Sequence, residues 1–240
     1  MRYRFVDCRF ELGKPGRGEE LYLSGHIPGA AFLDLDRDLS DLSLAPARGR
    51  HPLPSEEQFA RVASRAGIGP GVFVVAYDQG MTGGAARLWW LLRHFGHDDV
   101  AVLAGGMDAW AGPLRSGREE IEPAEFSPRP REGDTVNAEE LGEPGLVLLD
   151  ARAPERYRGE IEPIDPVAGH IPGARNLPFT NVGEIRGEIL DAREIVAYCG
   201  SGVSACVLLL ALERAGRLDA KLYPGSWSEW SVLGLPVEQG

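Results

Sequence analysis

The chain has 240 residues, of which 43% are hydrophobic and 25% are charged, as in ordinary globular proteins. This composition excludes a fully disordered chain and a fibre, and the length suits one large or two small domains. The formal net charge of -11 repels phosphate backbones and anionic lipids, so we expect neither nucleic acid nor a membrane as a partner.

The first half of the chain predicts strands that alternate with helices. Residues 51–67 predict a helix with Ser55 as its N-cap. Val72–Tyr77 is a continuous β-rich run, typical of a strand buried on both faces of a parallel sheet. It leads through a turn of small residues into the nearly all-apolar helix 85–95, and residues 100–106 supply another strand.

The second half repeats the first in the same order. The hexapeptide GHIPGA occurs at residues 25–30 and again, unchanged, at residues 169–174. Strand 195–198, helix 203–215 and strand 220–226 then repeat the later elements. An internal repeat of this kind predicts an α/β fold built twice, each copy a mostly parallel sheet with helices on both faces.

The composition between the two copies predicts the domain boundaries. Residues 116–135 are rich in Pro, Glu and Arg and have no apolar periodicity, which indicates a linker. We therefore place one domain at 1–115 and the other at 136–240. Between its hexapeptide and its main strand the second domain is shorter than the first.

Two features of the sequence indicate the compartment. The start, MRYRFVDCRF, lacks the order of a signal peptide, and no apolar run approaches the ~18 residues of a membrane span. The three cysteines, Cys8, Cys199 and Cys206, are too few for a disulfide framework, and because their number is odd they cannot all be paired within the chain. We expect a cytoplasmic protein with at least one free thiol.

The most informative position is the end of strand 195–198, because ligands of such sheets bind at the carboxyl ends of the strands. Cys199 stands there, and the small residues that follow allow several N–H groups to turn inward around an anion. The positive end of the next helix favours the thiolate, so Cys199 is placed to be a nucleophile. Asp78 holds the same register in the first copy, which leaves one active site per chain.

Other reactive side chains are assigned to structure. Cys8 is matched by Ala151 in the second copy, and Cys206 lies in an apolar helical segment, so we expect both thiols to be packed. His26 and His170 occur in both copies, one of which lacks the nucleophile, and we expect their rings to bond to backbone. No His, Cys and carboxylate residues have metal-ligand spacing, so we predict neither a metal nor a cofactor.

Three stretches together resemble the tandem-domain rhodanese family of sulfurtransferases. The first is Tyr22-x-x-x-His26-Ile27-Pro28-Gly29-Ala30, the second is the loop headed by Cys199, and the third is AKLYPGSWSEW at residues 220–230. The resemblance covers nearly the whole chain and includes a first domain without the cysteine. It implies that Cys199 takes a sulfur atom from a donor as a persulfide and passes it to cyanide or a thiol.

The resemblance also implies a substrate site. Its expected members are the amides of the loop and one arginine that holds the anionic end of the donor: Gly200, Ser201, Gly202, Val203, Ser204 and Arg156. The loop CGSGVSA resembles that of 3-mercaptopyruvate enzymes, whereas thiosulfate enzymes carry basic residues after the cysteine. Ser201 is a candidate proton relay. The mercaptopyruvate enzymes, however, place a second arginine where this chain has Ile164, so the donor stays open between mercaptopyruvate and thiosulfate.

Two other functions compete with a sulfurtransferase. A cysteine phosphatase needs an arginine that closes the loop, but here the loop closes with Ser204, Ala205 and Cys206. A persulfide carrier or binding module would accept sulfur without turning over small donors. We expect a monomer or a weak oligomer.

Overall fold

The computed structural model describes residues 2–142 and 145–240, and each half of the chain forms its own parallel sheet. The first sheet has the strands β1 (Arg2–Asp7), β2 (Ala31–Phe32), β3 (Val72–Tyr77) and β4 (Val100–Val102). Its helices are α1 (Arg17–Ser24), α2 (Glu56–Arg65) and α3 (Gly84–His94). All paired strands are parallel, in the order β2-β1-β3-β4.

The second sheet repeats this topology. Its strands are β5 (Leu146–Asp150), β6 (Arg175–Asn176), β7 (Glu194–Tyr198) and β8 (Lys221–Leu222), in the parallel order β6-β5-β7-β8. Its helices are α4 (Pro154–Tyr157), α5 (Glu188–Asp191), α6 (Ala205–Arg214) and α7 (Ser226–Val232). Short 3-10 helices cover Leu42–Leu44, Gly106–Ala109, Ala138–Glu140 and Phe179–Glu184.

The strand order explains the position of the helices. From β1 the chain moves to one side to form β2, and then crosses back to form β3 on the other side. Because parallel crossovers are right-handed, the two connections lie on opposite faces of the sheet. The predicted α/β class, with helices on both faces, is confirmed. The switch in direction also opens a crevice at the carboxyl ends of β1 and β3, and of β5 and β7.

The local sequence explains where elements begin. Ser55 accepts the amide of Gln58 at 3.2 Å and Gln58 accepts that of Ser55 at 2.8 Å, so the predicted N-cap of α2 is confirmed as a capping box. α3 begins one residue earlier than predicted, and α6 two residues later. The late start of α6 leaves Val203 and Ser204 in the loop that follows β7.

A buried ion pair recurs where the first strand of each sheet ends. Asp7 pairs with Arg9, and Asp150 with Arg152, each at 2.6 Å and almost without solvent exposure. Each guanidinium also donates to the carbonyl of the glycine before a GHIPGA histidine, Gly25 or Gly169, at 2.7 Å. The two copies therefore fix their hexapeptide turns by the same charged group.

The hexapeptide histidines point inward in both copies. His26 Nδ1 bonds to the carbonyl of Tyr22, and His170 Nδ1 to that of Tyr157, each at 2.8 Å. Each ring also stacks on that tyrosine, with ring centroids 4.1 Å apart in the first copy and 3.7 Å in the second. The predicted bonding of these rings to backbone is confirmed.

Two compact units account for the chain. One consists of residues 2–41 and 53–131, and the other of Leu42–Pro52 with the described residues from Glu132 onward. Leu42–Pro52 belongs to the first copy by sequence but packs as part of the second unit. The domain boundaries predicted at residues 115 and 136 stay a prediction. None of the helices in the described ranges is long and apolar enough to cross a membrane.

Candidate active site

Cys199 lies directly after β7, at the carboxyl end of the central strand pair of the second unit. Its carbonyl accepts the amide of Trp227 at 3.0 Å, and the carbonyl of Gly200 accepts the amide of Ser228 at 2.9 Å. The amide of Cys199 donates to Ser226 Oγ at 3.2 Å. These three hydrogen bonds bind the loop along the first turn of α7. The Cys199 side chain is only 2% exposed to solvent.

Gly202 gives the loop its shape. Its φ of 76° is left-handed, and a Cβ built there would lie 2.6 Å from the carbonyl oxygen of Pro224. Both facts require glycine at this position. Val203 is buried behind it, and Ser204 precedes α6 without a side-chain capping bond.

In the first unit, the loop at the same position binds the carboxylate of its own first residue. There the carboxylate of Asp78 accepts three amides, from Met81 at 2.7 Å, Gly83 at 3.0 Å and Ala85 at 3.2 Å. In the first unit the loop amides thus converge on the side chain of the first loop residue, as in other backbone nests. Cys199 is the first residue of the corresponding loop.

Ser201 is paired with a histidine from a distant part of the sequence. His51 Nδ1 and Ser201 Oγ share a hydrogen bond of 2.7 Å, and both residues are buried. A hydroxyl bonded to an imidazole can pass a proton in either direction. The sequence predicts Ser201 as a proton relay, but it gives no sign of His51, which falls in the predicted helix segment 51–67.

Arg156 is the predicted arginine, and it is not a freely solvated side chain. It lies on α4, is 15% exposed and donates through Nε and Nη2 to Glu162, the shortest contact being 2.6 Å. Burial would raise the pKa of Glu162, but the hydrogen bonds from Arg156 and from the amides of Asp165 and Ile164 outweigh it and lower that pKa. Arg156 Nη1 lies 3.4 Å from the position of a Cβ built on Gly200.

A second guanidinium, from Arg50, also reaches Gly200. Its Nη2 lies 2.9 Å from the same Cβ position, and its Nη1 is paired with Asp165. Neither Arg50 nor Asp165 is among the site residues that the sequence predicts. The one signal for Arg50 is a short basic run, Arg48-Gly49-Arg50-His51, in an acidic chain.

The remaining cysteines are packed thiols. Cys8 and Cys206 are fully buried, and Cys206 Sγ donates to the carbonyl of Gly202 at 3.3 Å. Burial raises the pKa of the Cys8 thiol well above its ordinary value, and the carboxylates of Asp7 and Asp78 raise it further. Across residues 2–142 and 145–240, no three His, Cys, Asp or Glu side chains are arranged to hold a metal ion.

The chain is similar in sequence to known proteins of one family. The Rhodanese-like domain family matches residues 2–113 and 135–233. A probable 3-mercaptopyruvate sulfurtransferase of Pseudomonas aeruginosa is 45% identical, over 94% of this chain and 88% of its own. A putative thiosulfate sulfurtransferase, SseB, of Mycobacterium tuberculosis is 42% identical, over 94% and 87%.

Among solved structures, SseA from Escherichia coli, a 3-mercaptopyruvate sulfotransferase with the rhodanese fold, superposes with a TM-score of 0.80. It is 33% identical, over 94% of this chain and 92% of its own. The resemblance drawn from the hexapeptide, the Cys199 loop and the stretch 220–230 is thereby confirmed. The chain belongs to the rhodanese family.

Proposed function

We propose that this protein is a sulfurtransferase that moves a sulfur atom from 3-mercaptopyruvate to a thiol or cyanide through a persulfide on Cys199. The observation that supports this most is the anion held by the first unit's loop: three amides converge on the Asp78 carboxylate. The corresponding loop, from Gly200 to Ser204, follows the thiol of Cys199 instead. Its amides would stabilise a thiolate and then a persulfide anion there.

The first half-reaction begins with attack of the Cys199 thiolate on the sulfur of mercaptopyruvate. An S–S bond forms and the C–S bond breaks, and its electron pair stays on carbon as the enolate of pyruvate. That enolate takes up one proton, for which the hydrogen-bonded pair of Ser201 and His51 is the nearest relay in the loop. In the second half-reaction an acceptor thiolate or cyanide attacks the outer sulfur and releases the Cys199 thiolate.

Two observations support mercaptopyruvate over thiosulfate as donor. Gly200 and Ser201 are neutral, so the loop itself adds no positive charge for a sulfonate. The proton relay at Ser201 serves an enolate leaving group but has no task when sulfite leaves. The arginines at Gly200 hold the anionic end of the donor.

A cytoplasmic location and a monomeric or weakly oligomeric state stay predictions, which fractionation and size-exclusion chromatography test.

The test is turnover of mercaptopyruvate or thiosulfate with cyanide, followed as thiocyanate, and the mass of the protein after donor alone. We expect turnover with mercaptopyruvate, a gain of one sulfur atom on Cys199, and the loss of both in Cys199→Ser. Cys8→Ala is the matched control, because the second copy has Ala151 at that position, and it keeps full turnover.

Other outcomes favour the competing functions. A persulfide adduct without turnover of either donor supports a sulfur carrier. Turnover that survives Cys199→Ser contradicts the assignment of the nucleophile. A phosphatase is disfavoured because Ser204, Ala205 and Cys206 close the loop where an arginine would be needed.

A further inference from the structure

We infer that residues 237–240 form a strap that closes the loop 159–168 and thereby positions its acids, Glu162 and Asp165, in the candidate site. The effect of the strap on donor binding rests on the proposed function, whereas closure of the loop does not depend on any donor. All the contacts that the strap makes with this loop and its flanks lie within the second unit.

The loop 159–168, here called the inserted loop, is an insertion in the second copy. In the first copy His26 Nδ1 bonds to the carbonyl of Tyr22, four positions earlier. In the second copy the equivalent bond joins His170 to Tyr157, thirteen positions earlier. The extra residues follow α4, which ends at Tyr157, and precede the hexapeptide. The copy with the nucleophile therefore carries a loop that has no counterpart in the other copy.

The two acids of the inserted loop are buried and hold charged partners. The side chains of Glu162 and Asp165 are 3% and 4% exposed. Glu162 accepts Arg156 Nη2 at 2.6 Å, and Asp165 accepts Arg50. Glu162 Oε1 also accepts the amides of Ile164 and Asp165 at 3.1 Å, inside the loop. The positions of both guanidiniums therefore depend on the inserted loop being closed.

Backbone hydrogen bonds from the strap join the two ends of the inserted loop. Gly240 donates its amide to the carbonyl of Arg158 at 3.1 Å. Glu238 and His170 exchange backbone bonds of 3.0 and 2.9 Å. A Cβ built on Gly169, whose φ is 130°, would lie 2.5 Å from the carbonyl oxygen of Glu238. The strap thus lies directly against the hexapeptide and reaches back across the base of the loop.

The first copy makes the same bonds without a loop to close. There Gly117 donates to the carbonyl of Leu23 at 2.8 Å, and Arg115 and His26 exchange backbone bonds of 2.9 Å. Leu23 and His26 are close in sequence, so these bonds fix only the turn after α1. In the second copy the same bonds hold together the ends of a longer segment, as in a compact Ω-loop.

The side chain of Gln239 contacts both ends of the inserted loop. Its Nε2 donates to the carbonyl of Ala168 at 3.0 Å. Its Cγ lies 3.0 Å from the position of a Cβ built on Gly159. The first copy has the shorter side chain of Ser116 at the corresponding position. Gln239 therefore adds a side-chain bond to the backbone bonds that close the loop.

The residues just before the strap fix it to the core. Leu235 and Val237 pack against the buried cluster of the second unit, of which Ile171 is a member. Trp230 Nε1 donates to the carbonyl of Pro236 at 2.8 Å. Because the strap is attached to packed side chains, it can hold the loop instead of moving with it.

The test measures loop closure and donor binding in separate experiments. Closure is measured by hydrogen exchange of the Ile164 and Asp165 amides, and donor binding by KM and kcat for mercaptopyruvate. Gln239→Ala removes the side-chain contacts of the strap, and Glu238→Pro removes one of its amides. Arg115→Pro is the matched control, because it removes the equivalent amide from the first unit.

We expect exchange of the loop amides to rise about 3- to 10-fold in either strap variant, as for the loss of one ordinary hydrogen bond. In the double variant exchange rises further, and KM rises about 5-fold with kcat unchanged, because the donor binds only the closed fraction. Arg115→Pro lowers Tm about as much as Glu238→Pro but leaves loop exchange and KM as in the wild type. The conservative change Glu238→Gln keeps every backbone bond and the wild-type KM.

Unchanged loop exchange in the double variant would overturn the inference, since the loop would then stay closed without the strap. Increased exchange with an unchanged KM would refute a role in donor binding, and so would an equal rise of KM in Arg115→Pro. A fall in kcat in place of the rise in KM would indicate damage to the Cys199 loop and also contradict the inference. If the wild type does not turn over mercaptopyruvate, the proposed donor is wrong, and the exchange measurement still decides whether the strap closes the loop.

Discussion

At the scale of single residues, the site depends on pairs whose members are far apart in sequence. The hydrogen bond between His51 and Ser201 spans 150 positions, and the pair of Arg50 and Asp165 spans 115. Cys199 and Ser201 could be predicted because a loop of small residues after a buried strand has a local signature. His51 and Arg50 could not, because no local pattern specifies which distant loop they contact.

The His51→Asn variant distinguishes a role of His51 in proton transfer from a role in substrate binding. Asparagine still hydrogen-bonds to Ser201 but neither gives nor takes a proton, so kcat with mercaptopyruvate should fall about 100-fold with KM unchanged. The rate with thiosulfate should be nearly unaffected, because sulfite leaves without a proton. Steady-state kinetics with both donors measure this.

Ser201→Ala serves as the companion variant for His51. It should lower kcat with mercaptopyruvate by a similar factor, and the double variant should lower it no further, as expected for two residues that act as one unit. Equal losses with both donors would contradict a role in protonating the enolate.

At the scale of elements, the repeat predicts most of the fold and little of the fine geometry. The strand and helix that flank Cys199 follow from the apolar runs, and both copies share the buried pair that ends β1 and β5. The sequence did not predict that α7 binds the Cys199 loop through backbone hydrogen bonds. Such contacts involve groups that every residue has, so side-chain patterns do not reveal them.

Gly202→Ala tests the close approach of the loop to α7. Gly173 is a matched control, because its φ of 78° is equally left-handed but nothing lies within 4 Å of a Cβ built there. Gly173→Ala should lower the free energy of unfolding by about 1 kcal/mol, the cost of the left-handed backbone.

Gly202→Ala adds a clash with the carbonyl of Pro224 to that cost. It should destabilise by about 1 to 3 kcal/mol more than the control, and turnover should be lost because the loop that begins with Cys199 is displaced from Pro224. Chemical denaturation measures both free energies. Equal values for the two variants would mean that the loop moves away from Pro224 without cost.

At the scale of the whole molecule, each unit contains a glutamate whose pKa is lowered by folding. In the first unit the amide of Gly29 and the side chains of His26 and Arg115 lower the pKa of Glu119. In the second unit the hydrogen bonds to Glu162 do the same against the effect of burial. Their contribution to stability is present above the unfolded pKa, about 4.3, and is lost as pH falls through the lower folded value.

The melting temperature should therefore be nearly constant between about pH 7 and pH 5 and fall steeply below about pH 4. Glu162→Gln should lower the free energy of unfolding at neutral pH by about 1 to 3 kcal/mol, since Arg156 loses the carboxylate that accepts its Nε and Nη2 and keeps the longer contact to Asp165 at 3.2 Å. The gap to wild type should close as the pH falls. Glu132→Gln, at an exposed position, should change neither value. A gap that persists at pH 3 would show that charge is not its cause.

The segment Leu42–Pro52 determines whether the chain can be divided into its two copies. It is encoded in the first copy but supplies Arg50 and His51 to the loop of the second. A cut at the boundary between the copies would leave Cys199 and Ser201 on one fragment and Arg50 and His51 on the other, so we expect neither fragment to keep the contacts of the candidate site.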